Sequence, residues 1–209
     1  MLKVLITDDH SVIRNGVRQI LLTEFTEMEC EEAENAAVAL RKIQDTKWDI
    51  IILDIDMPGR SGLDVLKDMK DNAINIPVLV FSLHPEDQIA LRAFKMGAYG
   101  YLSKDSVNEE LIKAVKQILA GKKYITPSIA EKLVLQLENP NDKEPHEILS
   151  DREYQTLLLF ANGKTVSQIA QELSLSVPTV STYRARILEK MNMKNTAELV
   201  NYAIKKNLV

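Results

Sequence analysis

The sequence predicts an α/β protein in which a five-stranded, doubly wound parallel sheet precedes a small all-α domain of four helices. Two observations predict this fold. Through residue 121, short apolar runs alternate with segments of helical periodicity, whereas residues 149–209 carry helical periodicity alone. Some runs, such as Ile50–Leu53, are apolar at every position, which is typical of parallel strands covered on both faces. Such alternation builds an open sheet with right-handed crossovers.

The strands and helices of the first domain are predicted to alternate along the chain. The five strands are predicted at 3–7, 28–33, 50–54, 77–81 and 99–102. The five helices are predicted near 11–23, 35–44, 62–70, 86–96 and 107–120. The last helix is preceded by the capping box Ser-Val-Asn-Glu at residues 106–109 and ends at Gly121.

The pattern changes after residue 121. A short helix is predicted near 128–137, and residues 138–145 hold two prolines, two asparagines and three acids without an apolar side chain. We therefore predict domains at 1–121 and 149–209, joined by a linker at 122–148. The second domain is predicted to contain helices near 151–162, 165–172, 177–191 and 196–207.

Composition narrows the function classes. The single cysteine, Cys30, excludes a disulfide scaffold, and the three histidines lack metal-ligand spacing. The chain has no apolar run long enough for a membrane span and no signal peptide, so we expect a cytoplasmic protein. The net charge is −4 overall and +3 over residues 149–209, which leaves −7 for the rest. This asymmetry favours two domains with different partners.

Polar side chains stand at the predicted carboxyl ends of four strands, where the functional crevice of a doubly wound sheet lies. They are Asp8 and Asp9, Asp54, Ser82 and Lys104. Clustered carboxylates repel one another and need a cation, and oxygen ligands favour a hard one such as Mg²⁺. A divalent ion beside a carboxylate, an amine and a hydroxyl is suited to phosphoryl transfer, with the carboxylate as nucleophile.

Four motifs carry a resemblance to a known family. They are Asp8-Asp9, the run Leu-Asp-Ile-Asp-Met-Pro-Gly at 53–59, Phe81-Ser82, and Gly-Tyr-Leu-Ser-Lys-Asp at 100–105. Over residues 1–121 the chain resembles the receiver domain of two-component response regulators, which has a flavodoxin-like fold. The resemblance implies that Asp54 is the phospho-acceptor and that a sensor histidine kinase supplies the phosphoryl group.

The resemblance also assigns roles to the other site residues. It implies that Asp9, Asp54 and the backbone carbonyl of Asp56 bind Mg²⁺ directly, and that Asp8 acts through water. Ser82 and Lys104 are implied to contact the phosphoryl oxygens. The ring of Tyr101 is implied to follow the Ser82 hydroxyl inward on activation. Asp56 and His84 are implied to flank the water that removes the phosphoryl group.

The second domain carries its own motifs: Leu-Ser-Asp-Arg-Glu at 149–153, Gly-Lys-Thr-Val-Ser-Gln-Ile-Ala at 163–170, and Ser-Leu-Ser-Val-Pro-Thr-Val at 174–180. Over about 60 residues they resemble the LuxR-type helix-turn-helix of NarL/FixJ response regulators. This implies double-stranded DNA and a second copy of the chain as partners, the latter on phosphorylation, with RNA polymerase as a further candidate partner. The resemblance implies a transcription regulator and no enzyme beyond the receiver's own phosphorylation and dephosphorylation.

Helical periodicity divides the predicted helix at 177–191 into two faces. Val180, Ile187 and Met191 form the predicted buried stripe, and Thr182 and Ala185 point the opposite way. An outward face that is short, polar and flanked by basic residues suits the major groove. By resemblance, the base-contacting positions are Ser181, Thr182 and Ala185, where relatives often carry lysine. The expected phosphate contacts are Arg184, Arg186 and Lys190.

Two other functions stay open at this point. The Asp-x-Asp of residues 54–56 also occurs in phosphatases of the haloacid-dehalogenase type, but there it usually ends the first strand. A receiver that acts only through protein contacts is the second alternative. Turnover of an external phosphate ester would favour the phosphatase, and absence of DNA affinity would favour the second alternative.

Overall fold

The computed structural model describes residues 1–83, 86–106, 108–138, 144–206 and 208. The chain forms two compact units, Met1–Leu135 and Gln136–Val209. His84, the capping-box residue Val107 and linker residues 139–143 lie outside the described residues, and the predictions made for them stay predictions. The limits predicted for the linker, 122–148, stay a prediction.

The first unit contains the predicted five-stranded parallel sheet, in the order β2-β1-β3-β4-β5. The strands are β1 (Leu2–Thr7), β2 (Met28–Ala33), β3 (Ile50–Leu53), β4 (Val78–Ser82) and β5 (Gly100–Ser103). The order reverses between β1 and β3, because β1 pairs with β2 on one side and β3 on the other. This switch point is where an open parallel sheet binds its ligands.

The helices of this unit follow the strands in strict alternation, as predicted. They are α1 (Ser11–Leu22), α2 (Ala36–Asp45), α3 (Gly62–Asp71), α4 (Glu86–Lys95) and α5 (Asn108–Leu119). Polar caps fix where two of them begin: Asn35 accepts the backbone N–H of Val38, and Ser61 forms a capping box with Asp64. The observed limits of these five helices differ from the predicted limits by at most one residue.

The central strands are buried on both faces. Residues of β3 and β4, among them Ile50, Ile52 and Leu79, are almost wholly inaccessible and pack with Leu111 and Val115 of α5. Burial of such side chains stabilises a fold by about 1.5–3 kcal/mol each. The continuous apolar runs that predicted parallel strands thus form β3 and β4, and the polar residues Asp54 and Ser82 lie at the carboxyl ends of these two strands.

The segment after α5 contains more regular structure than predicted. Tyr124 pairs with Gly100 beside the edge strand, and α6 (Pro127–Glu138) begins one residue earlier and ends one residue later than predicted. Residues Pro145–Ile148, predicted as linker, form a 3₁₀ turn. No helix in the described part of the chain is long and apolar enough to cross a membrane.

The second unit is all helical, as predicted. Its helices are α7 (Asp151–Ala161), α8 (Val166–Glu172), α9 (Val177–Lys190) and α10 (Thr196–Lys205). Side-chain caps begin each of them: Ser150, Thr165, Ser176 and Asn195 accept a backbone N–H from the first turn. The turn between α8 and α9 is tight, because Ser174 adopts a positive φ of 53° and Leu175 N–H donates to the Ala170 carbonyl.

A buried carboxylate joins α7 to α9. Glu153 is 2% exposed, and its Oε2 accepts the Ser150 backbone N–H at 2.8 Å and the Lys190 ammonium at 2.6 Å. Burial raises the pKa of Glu153, but the hydrogen bonds from Lys190 and Ser150 outweigh it and hold the pKa below its usual range. The ionised form is therefore favoured in the folded unit.

Replacement of Glu153 by glutamine should destabilise the helical unit by about 1–2 kcal/mol at pH 7, because it removes a charge-assisted hydrogen bond. A depressed folded pKa gives stability that is present above the unfolded pKa, about 4.3, and lost as the pH falls through the folded value. Urea unfolding should therefore show a difference between Glu153→Gln and wild type that shrinks below about pH 4. Glu189→Gln, at an exposed position on α9, is the control. A constant difference across this range would contradict the assignment.

Candidate functional site

The carboxyl ends of β1 and β3 bring two acidic residues into the interior. The Asp54 N–H donates to the Thr7 carbonyl at 2.8 Å, and the Asp8 N–H donates to the Ala33 carbonyl at 3.1 Å. Both aspartates are 2% exposed. Strand β3 ends one residue earlier than predicted, at Leu53, so Asp54 is the first residue beyond the strand. The switch point thus holds two buried carboxylates.

Lys104 bridges these two carboxylates. Its Nζ lies 2.6 Å from Asp8 Oδ2 and 2.9 Å from Asp54 Oδ2, and its side chain is 6% exposed. The backbone fixes this lysine, because its N–H donates to the Ser82 carbonyl at 2.8 Å. Ser82 ends β4 and is fully buried. The structure therefore brings together Asp8, Asp54 and Lys104, as predicted, with Ser82 beside the lysine in the hydrogen-bond pattern.

The single positive charge of Lys104 does not neutralise all of the acidic side chains around it. Burial raises the pKa of Asp54, Lys104 lowers it, and Asp8 and Asp56 raise it again, so that it reaches about 7. Burial lowers the pKa of Lys104, but the charges of Asp54 and Asp8 and their hydrogen bonds outweigh this and raise it. One ammonium faces several acidic side chains, so a second cation would favour the ionised form of Asp54.

The donor atoms fit a hard divalent cation. Asp8, Asp9 and His10 each place one ligand atom within 4.8 Å of the other two. Asp9 Oδ1 is buried and accepts no hydrogen bond from any described residue, although His10 Nδ1 lies 2.8 Å away. Carboxylate oxygens are the ligands that Mg²⁺ prefers, so the carboxylates of Asp8 and Asp9 are suited to bind this ion.

The sequence did not predict the contacts of two residues at this site, His10 and Arg14. The signal for His10 is its position directly after two aspartates, because its spacing to the other histidines predicts no shared metal site. Arg14 of α1 donates from Nη1 to the Asp8 carbonyl and from Nε to Glu32 of β2, each at 2.7 Å. These two hydrogen bonds from one guanidinium hold the end of β1 against β2. Sequence alone could not reveal it, because Glu32 is distant along the chain.

The loop after β3 is closely packed around Asp54. Asp54 Oδ1 accepts the Ile55 backbone N–H at 2.7 Å. A Cβ added to Gly62, the first residue of α3, would lie 2.1 Å from the Asp54 carbonyl oxygen. Only glycine therefore allows α3 to approach the residue that carries the candidate nucleophile. Asp56 is half-buried in the same loop.

Tyr101, the predicted switch residue, lies on β5 opposite Val80 of β4 and is fully buried. Its ring already lies in the interior in this structure. Movement of the ring with the Ser82 hydroxyl stays a prediction.

The faces of α9 are arranged as the periodicity predicted. Val180 and Ile187 are fully buried and Met191 is 6% exposed. The outward side chains differ in exposure. Thr182, Ala185, Arg186 and Lys190 are exposed, and Ser181 and Arg184 are half-buried.

The basic residues of α9 differ in their partners. Neither Arg184 nor Arg186 forms an ion pair with any residue that the structure describes. Lys190, by contrast, donates to Glu153 at 2.6 Å. Its expected contact with DNA phosphate stays a prediction, and its contact with Glu153 gives it a structural role as well.

Comparison with known families decides between the functions left open. Residues 4–116 match the family described as response regulator receiver domain. This chain belongs to that family. Residues 147–203 match the family described as bacterial regulatory proteins, luxR family. The chain is a two-component response regulator with a LuxR-type DNA-binding domain, and its role is transcription regulation rather than enzymatic turnover.

Similar proteins support this assignment over the full length. The response regulator is 34% identical to response regulator GacA of Pseudomonas aeruginosa, with all of this chain and 98% of GacA covered. It is 31% identical to response regulator UvrY of Escherichia coli (strain K12), with 96% of UvrY covered. The chain also resembles a solved structure of the Salmonella typhimurium RcsB response regulator, which is described for its conformational dynamism in DNA interaction. The match covers 97% of this chain and 98% of the RcsB chain, with 25% sequence identity and a TM-score of 0.61.

Proposed function

We propose that this response regulator works in the cytoplasm and accepts a phosphoryl group on Asp54 from a sensor histidine kinase. Phosphorylation then controls dimerisation, DNA binding and transcription, with RNA polymerase as a further partner. One observation carries the proposal: Lys104 Nζ lies between the buried carboxylates of Asp8 and Asp54, within 3 Å of each. An amine held there is positioned to pair with a phosphoryl group on Asp54.

The proposed step is a displacement at phosphorus. A carboxylate oxygen of Asp54 attacks and forms the new P–O bond, while the bond from phosphorus to the donor breaks and the donor takes up a proton. The product is an acyl phosphate, which water later hydrolyses to restore the carboxylate. Lys104 exchanges its contact with Asp54 Oδ2 for the phosphoryl oxygens, and Ser82 supplies a hydroxyl.

The same pocket would hold Mg²⁺. Asp9, Asp54 and the backbone carbonyl of Asp56 are the proposed direct ligands, and Asp8 acts through water. When bound, the ion neutralises phosphoryl oxygens and favours the ionised form of Asp54. Support comes from the buried Oδ1 of Asp9 and from the charges of Asp8 and Asp56, which add to the effect of burial in raising the pKa of Asp54 to about 7.

The proposal is tested by incubating the full chain with Mg²⁺ and acetyl phosphate, followed by intact-mass measurement. We expect the gain of one phosphoryl group that is removed by hydroxylamine, as an acyl phosphate should be. Excess chelator should abolish the gain. Equal labelling in chelator, or a label that resists hydroxylamine, would contradict the proposed site.

Lys104 provides a separate prediction about switching. Because its amine would pair with the phosphoryl group after transfer, Lys104→Ala should still be labelled but should not gain DNA affinity on labelling. The measurement compares phosphate content with DNA affinity in the same sample. Lys122→Ala, at an exposed position after α5, should behave as wild type. A normal gain in DNA affinity by Lys104→Ala would remove the lysine from the switch.

On the DNA side, we propose that α9 enters the major groove as the second helix of the helix-turn-helix. Ser181, Thr182 and Ala185 face the bases, and Arg184 and Arg186 contact phosphates. Support comes from the absence of ion pairs to these arginines among the described residues. An unpaired guanidinium on the rim of an exposed helix face is suited to phosphate oxygens.

Replacement of Arg186 by alanine should weaken binding to all DNA sequences alike and reduce the salt dependence of the affinity by about one charge. The measurement is fluorescence anisotropy with the full chain at several salt concentrations. Lys164→Ala is a matched control, since it removes the same charge from a lysine that pairs with Glu172. If Arg186→Ala kept the wild-type salt slope, the phosphate contact would be wrong.

A further inference from the structure

The exposed side chains in the first turns of α9 are uncharged and largely apolar. Val177 is 47% exposed, and Pro178, Thr182 and Ala185 are exposed as well. Pro178, Thr182 and Ala185 share one face of the helix, and none of them carries a charged or amide side chain. In a helix-turn-helix, the first turns of the second helix approach the base edges most closely.

Thr182 has no free proton to offer a base. Its Oγ1 donates to the Pro178 carbonyl one turn earlier, at 3.0 Å. A hydroxyl has only one donor hydrogen, so this contact uses it within the helix and fixes the side chain. What remains for an incoming ligand is the methyl group and the lone pairs of the oxygen, on an apolar surface.

One base suits such a surface. In the major groove thymine alone presents a methyl group, at C5. Contact between that methyl and the Thr182 methyl removes both from water, and a buried carbon contributes about fourfold in affinity. The occupant is DNA rather than a protein, because Arg186 lies exposed next to this face without an ion-pair partner among the described residues and attracts a polyanion.

We infer that Thr182 reads a thymine of the operator through its methyl group, on the apolar surface formed with Pro178 and Ala185. The inference rests on the proposed function, since it takes α9 as the helix that enters the major groove. It names a chemical requirement of the operator: at one position of each half-site, the methyl of thymine is needed rather than a hydrogen-bonding edge.

The test removes that methyl from the DNA. Duplexes are first selected from a random library with the full chain in Mg²⁺ and acetyl phosphate. Each thymine of the selected duplex is then replaced, one at a time, by uracil, which differs only by lacking the C5 methyl. We expect a loss of about fourfold in affinity at one symmetry-related pair of positions.

Two variants of Thr182 separate the methyl from the hydroxyl. Thr182→Ser keeps the hydroxyl and loses the methyl, so its affinities for the thymine and uracil duplexes should be equal at that position. Thr182→Val keeps the methyl and loses the hydroxyl, so it should retain the fourfold preference. Because residue 182 is exposed, both variants should fold, which circular dichroism checks.

The outcomes are distinct. Equal affinity of the wild type for every uracil duplex would overturn the inference while leaving the DNA-binding function intact. A preference that Thr182→Ser keeps, or that Thr182→Val loses, would also overturn it, because the methyl would not be the reading group. Failure to select any duplex would count against the proposed function itself.

Discussion

Asp54→Asn should abolish phosphorylation by acetyl phosphate and with it any phosphorylation-dependent gain in DNA affinity. Asparagine preserves the shape of the side chain but lacks the carboxylate that attacks phosphorus. The variant should be at least as stable as wild type at pH 7. Burial raises the pKa of Asp54 to about 7, so the fold disfavours the ionised side chain as the pH rises above the unfolded value.

The control for this variant is Asp56→Asn. Asp56 is proposed to contribute its backbone carbonyl, so its replacement should leave labelling intact, although the lifetime of the phosphoryl group can change. Mass spectrometry and thermal unfolding are measured on the same preparations. Labelling of Asp54→Asn to the wild-type extent would place the acceptor elsewhere.

The second large effect is expected from Gly62→Ala. An added Cβ would lie 2.1 Å from the Asp54 carbonyl oxygen, so either α3 or the loop that carries Asp54 must move. Overpacking of this kind costs about 1–3 kcal/mol, and the displaced Asp54 should be labelled much more slowly. Urea unfolding and the rate of labelling measure the two effects.

Gly16→Ala is the matched control, because Gly16 lies inside α1 and an added Cβ would meet nothing within 4 Å. Alanine is the better helix former there, so this variant should be stabilised by up to about 1 kcal/mol and labelled normally. Wild-type labelling rates in Gly62→Ala would mean that the close approach of α3 is unimportant for the site.

The fold was predictable because each local signal agreed with the global pattern. The apolar run at Ile50–Leu53 predicted a buried parallel strand, and polar residues after four strands predicted the edge of the sheet at which Asp8, Asp54 and Lys104 meet. The stripe of Val180 and Ile187 oriented α9 correctly. These features depend on periodicity of the chain, which is readable from sequence.

Contacts between residues that are distant along the chain could not be predicted from the sequence. The hydrogen bonds of Arg14, the Lys190–Glu153 pair and the close approach of Gly62 to Asp54 each join segments whose spacing carries no periodic signal. Strand and helix limits also shifted by a residue or two, because caps and backbone hydrogen bonds decide them. Such contacts fix the exact positions of the side chains, whereas the location of the site at the strand ends follows from the sequence pattern.

We propose that a phosphoryl group on Asp54 controls DNA binding, and one measurement tests this directly. The affinity of the full chain for its selected duplex is measured with Mg²⁺ alone and with Mg²⁺ plus acetyl phosphate. We expect phosphorylation to raise the affinity about tenfold or more, as a two-state coupling of this kind allows, and Asp54→Asn to show no change. Equal affinity of the wild-type chain under both conditions, with phosphorylation verified by mass, would contradict the claim.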